Sequence, residues 1–88
     1  MRVIICNVQL FSNDQNVQVY DTSEGRIIYN QKVDMQDLVP AICTVAKQFD
    51  LTEVRLSGVG QYALPYVNEI KNAYALNYNY NILNVEVI

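Results

Sequence analysis

The order in which hydrophobic periodicity changes along this chain constrains its fold more than any single residue does. Three runs with strand character come first, and two helix–strand units follow. Arg2 to Phe11 is rich in β-branched and apolar residues, and its first half (Val3, Ile4, Ile5, Cys6) is apolar on both faces. Continuous apolarity marks a strand covered on both sides, so this one is expected at the centre of a sheet. Ser12 to Asn16 reads as a polar turn. Asn16 to Tyr20 alternates, with Val17 and Val19 facing one way and Gln18 and Tyr20 the other. Asp21 to Gly25 reverses the chain, and Gly25 is the residue suited to a positive φ. Arg26 to Val33 is the third strand, with polar Asn30 and Lys32 as an edge strand should have.

The first helix is marked by Leu38, Ala41, Ile42, Val45, Ala46 and Phe49, which recur at three- and four-residue steps. Asp37 as N-cap places Pro40 at the third helical position, where its missing N–H costs nothing. Asp34 is the competing cap. Glu53 to Ser57 is a short strand, and Gly58-Val59-Gly60 follows it. The second helix is expected from about Tyr62 to Tyr74, with Val67, Ile70 and Tyr74 inward and Pro65 near its start. Asn77 to Asn81 reads as a polar connection, and Ile82 to Ile88 as the last strand. The segments 38–42 and 63–67 echo each other, each opening a helix that leads to a strand.

Two successive helix–strand units require right-handed crossovers and parallel pairing. The expected fold is therefore α/β (α+β): one domain over residues 1–88, with a five-stranded mixed sheet ordered 3-2-1-4-5 and two helices, in the sequence β-β-β-α-β-α-β. Asn7-Val8-Gln9, the run from Val17 to Asp21 and the run from Gly25 to Tyr29 resemble the opening hairpins of the ribonuclease-H-like and actin-like superfamily. Leu56-Ser57-Gly58-Val59-Gly60, with Pro65 downstream, resembles the strand-glycine-helix stretch that touches nucleotide in actin-like ATPases. The resemblance is one of topology and spans nearly the whole chain.

That resemblance implies chemistry which the residues here do not supply. Nuclease members hold two divalent metals with several carboxylates, the leading one in the middle of the first strand. The matching stretch in this chain, Asn7-Val8-Gln9, is neutral. Asp14, Asp21, Glu24, Asp34 and Asp50 fall at expected turns and caps, where solvation and backbone hydrogen bonds account for them. ATPase members use glycine-rich turns beside acidic residues in two lobes, and this chain has length for one. There is no histidine to serve as the base of a nucleophile. No catalytic residue, metal or cofactor is expected. The turn from Ser57 to Gln61 nevertheless offers backbone N–H groups at a helix start, beyond the carboxyl ends of parallel strands, where open α/β sheets bind ligands. Asn7, Ser57, Gly58, Gly60 and Gln61 are the candidate ligand-binding residues; the competing reading is a tight strand-to-helix turn.

The remaining observations bear on partners. Net charge is -3, and the six cationic residues are scattered, which argues against the basic stripe of a nucleic-acid binder. Cys6 and Cys43 fit no zinc spacing and read as reduced, buried side chains. No apolar run approaches the roughly 20 residues of a membrane helix, and no signal peptide opens the chain, so a cytoplasmic protein is expected. Half the residues are apolar (51%), more than a core this small absorbs, which favours self-association. Five of the seven tyrosines lie between Tyr62 and Tyr80. Tyr66 and Tyr74 are expected against the sheet, and Tyr62, Tyr78 and Tyr80 are candidates for an interaction surface. Heavy use of asparagine, tyrosine and isoleucine fits an AT-rich bacterial or phage genome. The expected function is a non-catalytic protein-interaction module, such as a phage-encoded accessory protein, whose partner is itself or a host or phage protein. The alternatives are a small-ligand or nucleotide-binding domain using residues 57–61, and nucleic-acid binding without cleavage.

Overall fold

The structure, a computed structural model, describes residues 2–8, 14–58, 60–78 and 83–87. Strands β1 (Arg2–Val8), β2 (Asp14–Asp21) and β3 (Arg26–Asp34) come first. A 3-10 turn (Met35–Asp37) leads into helix α1 (Leu38–Gln48), then β4 (Glu53–Gly58), α2 (Gly60–Tyr78) and β5 (Asn84–Val87). The five strands form one sheet in the order β3-β2-β1-β4-β5. β1 pairs antiparallel with β2 and parallel with β4; β2–β3 is antiparallel and β4–β5 parallel. Fold class, strand order and the central place of β1 are as the periodicity implies.

Alternation along the strands sorts the side chains into two faces. Ile4, Cys6, Val17, Val19, Val54, Leu56 and Val85 join Leu38, Ile42, Val45 and Ala46 of α1 and Ile70 and Tyr74 of α2 in one core. Both helices therefore cover the same face. The overall extents of 31 × 31 × 20 Å match one sheet plus one layer of helices. No described element covers the other face, which corrects the expectation that β1 is sandwiched. Val3 is nonetheless fully buried and Ile5 half-buried. Their neighbours in register, Tyr20 and Gln18 on β2 and Arg55 on β4, are long side chains lying on either side. An apolar strand centre is thus shielded within a single layer, and the rest of that face (Asn16, Asn30, Lys32, Asn84, Glu86) is polar and exposed.

Local chemistry explains most element ends. Gly25 has φ 67° and donates its N–H to the Asp21 carbonyl at 2.8 Å, closing the β2–β3 turn as expected. Asp34 and Asp37 are used in succession: Asp34 precedes the 3-10 turn and Asp37 is the N-cap of α1, neither with a side-chain capping bond. Pro40 then occupies the third helical position. Helix α1 ends with Leu51 N–H donated to the Ala46 carbonyl and Asp50 in the left-handed region at φ 56°, a Schellman arrangement.

Several boundaries differ from expectation: β3 and β4 each run one residue further, to Asp34 and Gly58, and β5 begins at Asn84, leaving Leu83 outside it. β2 begins at Asp14, so the second half of the supposed turn is strand. Cross-strand hydrogen bonds to β3 there outweigh the turn preference of Asp14 and Asn16. Helix α2 runs from Gly60 to Tyr78 and takes in residues 60–61 and 77–78, because extending an existing helix is far easier than starting one. Pro65 is consequently interior to α2, whereas Pro40 is in the first turn of α1, so the two echoed segments are not structurally equivalent.

Candidate functional site

The direction of each strand decides what meets at the sheet ends. β1, β3 and β4 all run the same way, and β3 and β4 lead directly into α1 and α2. Both helix N-termini therefore lie at the end where β1 and β4 finish. The same end receives the start of β2.

The sequence-derived ligand residues converge there. Asn7 is the register partner of Ser57, and Val8 that of Gly58. Gly60 and Gln61 open α2. Ser57 and Gly58 belong to β4 and residues 60 and 61 to α2; residue 59 lies outside the described residues. Ser57 is half-buried, and its Oγ donates a long 3.5 Å hydrogen bond to the Cys6 carbonyl. Pro65 has no N–H to give the Gln61 carbonyl, its ordinary helical partner.

Three further residues reach this end that sequence reasoning did not place together. Asp14 and Asp34 are register partners across β2 and β3, and Asp37 follows within one turn. Counting back from the 21–25 turn puts Val33 opposite Asp14. A bulge at Ile28, opposite Val19 and Tyr20, shifts the register by one and brings Asp34 there instead. Asp34 and Asp37 immediately precede α1, where negative charge complements the N-terminal end of the helix dipole. β3 stands three strand spacings, about 14 Å, from β4, so this corner and Ser57 are separate. No group of three or more histidine, cysteine, aspartate or glutamate side chains able to hold a metal ion occurs among the described residues. Gln15, missed by sequence reasoning, is a buried polar side chain on the helix-covered face near this end.

The tyrosines of the C-terminal half are spread along α2 and beyond it. Tyr74 is buried in the core and Tyr66 packs against it, both as expected. Tyr62 and Tyr78 belong to α2 rather than flanking it. They sit near its opposite ends, 16 residues and so about 24 Å apart along the axis. Tyr80 lies outside the described residues.

Electrostatics elsewhere is local. Arg2 pairs with Asp21 (3.7 Å), Arg26 with Glu24 (2.6 Å) and Arg55 with Glu53 (3.0 Å), so at least half the cationic residues already have partners. Cys6 and Cys43 are free thiols and buried. Burial pushes the Cys6 thiol up to about 11 and raises Cys43 as well, so neither is an activated nucleophile.

No protein-family model and no curated protein matches the chain. Solved structures do. A Bacteroides thetaiotaomicron protein, described as having an actin-like ATPase fold and unknown function, superposes with TM-score 0.61 at 15% identity. The likeness is to the actin-like ATPase fold. Archaeoglobus fulgidus Pelota gives TM-score 0.60 at 11% identity, and the Aquifex aeolicus Ppx/GppA phosphatase 0.51 at 15%. These matches cover 99%, 99% and 100% of this chain but 32%, 26% and 35% of the others. The chain thus spans about a quarter to a third of their length, and what is shared is the fold.

Proposed function

We propose that this chain is a non-catalytic interaction module of degenerate ribonuclease-H-like type, acting through contact with a second copy of itself or with a host or phage protein. The observation that carries this reading is the outer edge of β5. β5 pairs with β4 on one side, and no described strand pairs with the other. Its alternate residues Val85 and Val87 are apolar, and α2 lies over it. Two of the three exposed large apolar side chains among the described residues, Leu64 and Leu76, are on that helix, Leu76 at 85% exposure. An edge with unpaired backbone groups, beside a helix that exposes Leu64 and Leu76, is a template for added protein. The opposite edge, β3, is blunted by the bulge at Ile28 and by exposed Asn30, Gln31 and Lys32.

Neutral Asn7 and Ser57 at the ends of the paired parallel strands support the absence of metal-assisted chemistry. The test is turnover. Purified protein given divalent metal should hydrolyse neither nucleic acid nor phosphate esters. Activity abolished by Asp14→Ala or Asp37→Ala would overturn the reading.

A second reading is favoured by the convergence of Asn7, Ser57, Gly58 and Gly60 at the start of α2. There the site takes a small anionic ligand or nucleotide. A nucleotide at 100 times its dissociation constant would stabilise the chain by about 2.7 kcal/mol, so thermal shifts at millimolar nucleotide decide it. Nucleic-acid binding has the least support, given three arginines already paired with carboxylates.

A further inference from the structure

We infer that the partner of β5 is β5 of a second copy, in an antiparallel register centred on Val85. This rests on the interaction reading above and deepens it. The backbone sets the first condition. Asn84 donates its N–H to the Thr52 carbonyl of the segment entering β4 (2.8 Å). Because the N–H and C=O of one strand residue point to the same side, Asn84 and Glu86 are turned toward β4. Within β5, Val85 and Val87 present their backbone groups to the free edge, and Leu83 immediately precedes the strand. A two-fold axis through Val85 makes Val85 and its copy exchange both N–H···O=C bonds, and Leu83 and Val87 of opposite copies do the same.

Side chains set the second condition. Leu83, Val85 and Val87 lie on the helix-covered face, while Asn84 and Glu86 are exposed on the other. Centring on Val85 places Leu83 against Val87, Val85 against Val85, and Asn84 against Glu86 on both sides of the axis. Every apolar residue meets an apolar one, and each carboxylate meets an amide donor. Centring one residue later sets Glu86 directly against Glu86, a like-charge pair at the closest cross-strand distance. Centring between residues puts apolar opposite polar throughout. The Val85 register also leaves both α2 helices on one side, two β5 strands apart. Each α2 lies over β4 as well as β5, so helix axes above the two β4–β5 seams stand two strand spacings, about 10 Å, apart, a normal helix-packing distance.

The test is mass by light scattering during dilution, on the full chain. Wild type should be a dimer that dissociates on dilution. Asn84→Glu sets a new carboxylate against Glu86 of the other copy, once on each side of the axis, and should weaken association about tenfold or more. The Asn84→Lys/Glu86→Lys double variant should be weakened likewise. An equal mixture of the two should recover the dimer, because each lysine then faces a glutamate. Recovery on mixing also shows that each variant is folded. A wild type that stays monomeric when concentrated overturns the proposal. A dimer unmoved by Asn84→Glu does the same, since it must use another surface. Neither result bears on the absence of turnover, so failure of self-pairing is distinguishable from failure of the interaction reading.

Discussion

Asp21 holds the β2–β3 turn with one carboxylate oxygen. That oxygen accepts the N–H of Ser23 at 2.9 Å and of Glu24 at 3.2 Å, while the other faces Arg2. The Glu24 N–H lowers the carboxyl from its ordinary value, with desolvation opposing and the Ser23 bond and Arg2 assisting. A lowered folded value means the unfolded chain binds more protons in acid. The stabilisation is therefore full above the unfolded value, about 3.9, and is lost as pH falls through the folded one. Denaturation midpoints measured from pH 5 downward should fall more steeply in wild type than in Asp21→Asn. Asp50 is the second telling residue. Its φ of 56° is a conformation that costs a side-chain-bearing residue roughly 1–2 kcal/mol, offset in part by the tolerance of aspartate for it. Asp50→Gly should raise stability by about 1 kcal/mol in urea titration. The turn glycine at 25 was legible from sequence because glycine advertises positive φ. Position 50 was not, because aspartate reads equally well as a loop residue or a cap.

At the scale of elements, what the sequence disclosed was periodicity, and what it concealed was register and length. The helical stripe from Leu38 to Phe49 and the alternation of Val17 and Val19 can be read directly, since one face of each must be apolar. The bulge at Ile28 leaves no mark, because Ile27, Ile28 and Tyr29 are all strand formers. With it went the meeting of Asp14 and Asp34. The glycine turn was visible, but not its contraction into the end of β4 and the start of α2. Helix α2 carries a proline in its interior. Pro65 is exposed and removes one helical hydrogen bond. Pro65→Ala should stabilise the protein by up to about 3 kcal/mol. A lower chemical-denaturation midpoint instead would mean that a bend at Pro65 is needed to seat Ile70 and Tyr74 in the core.

At the scale of the molecule, one sheet, two helices on one face and two unequal edges make up the whole of what is described. The element order was enough to give strand order 3-2-1-4-5, because right-handed crossovers leave few alternatives. It did not show that the second sheet face is bare of helices, since apolar Val3 and Ile5 look the same whether covered by a helix or by neighbouring side chains. Nor did it show that Tyr62 and Tyr78 both belong to α2, near its opposite ends. The proposed function follows from the contrast between the edges: β3 is bulged and carries exposed Asn30, Gln31 and Lys32 beside exposed Ile27, while β5 alternates Asn84 and Glu86 with Val85 and Val87, is straight in register and is roofed by α2. Amide hydrogen exchange at Val85 and Val87 addresses that contrast most directly, because their N–H groups point away from β4. Exchange at both should be slow in concentrated protein and accelerate on dilution, while Asn84 and Glu86 stay protected throughout. Fast exchange at Val85 and Val87 at every concentration would mean that the β5 edge stays bare, and that self-association through it does not occur.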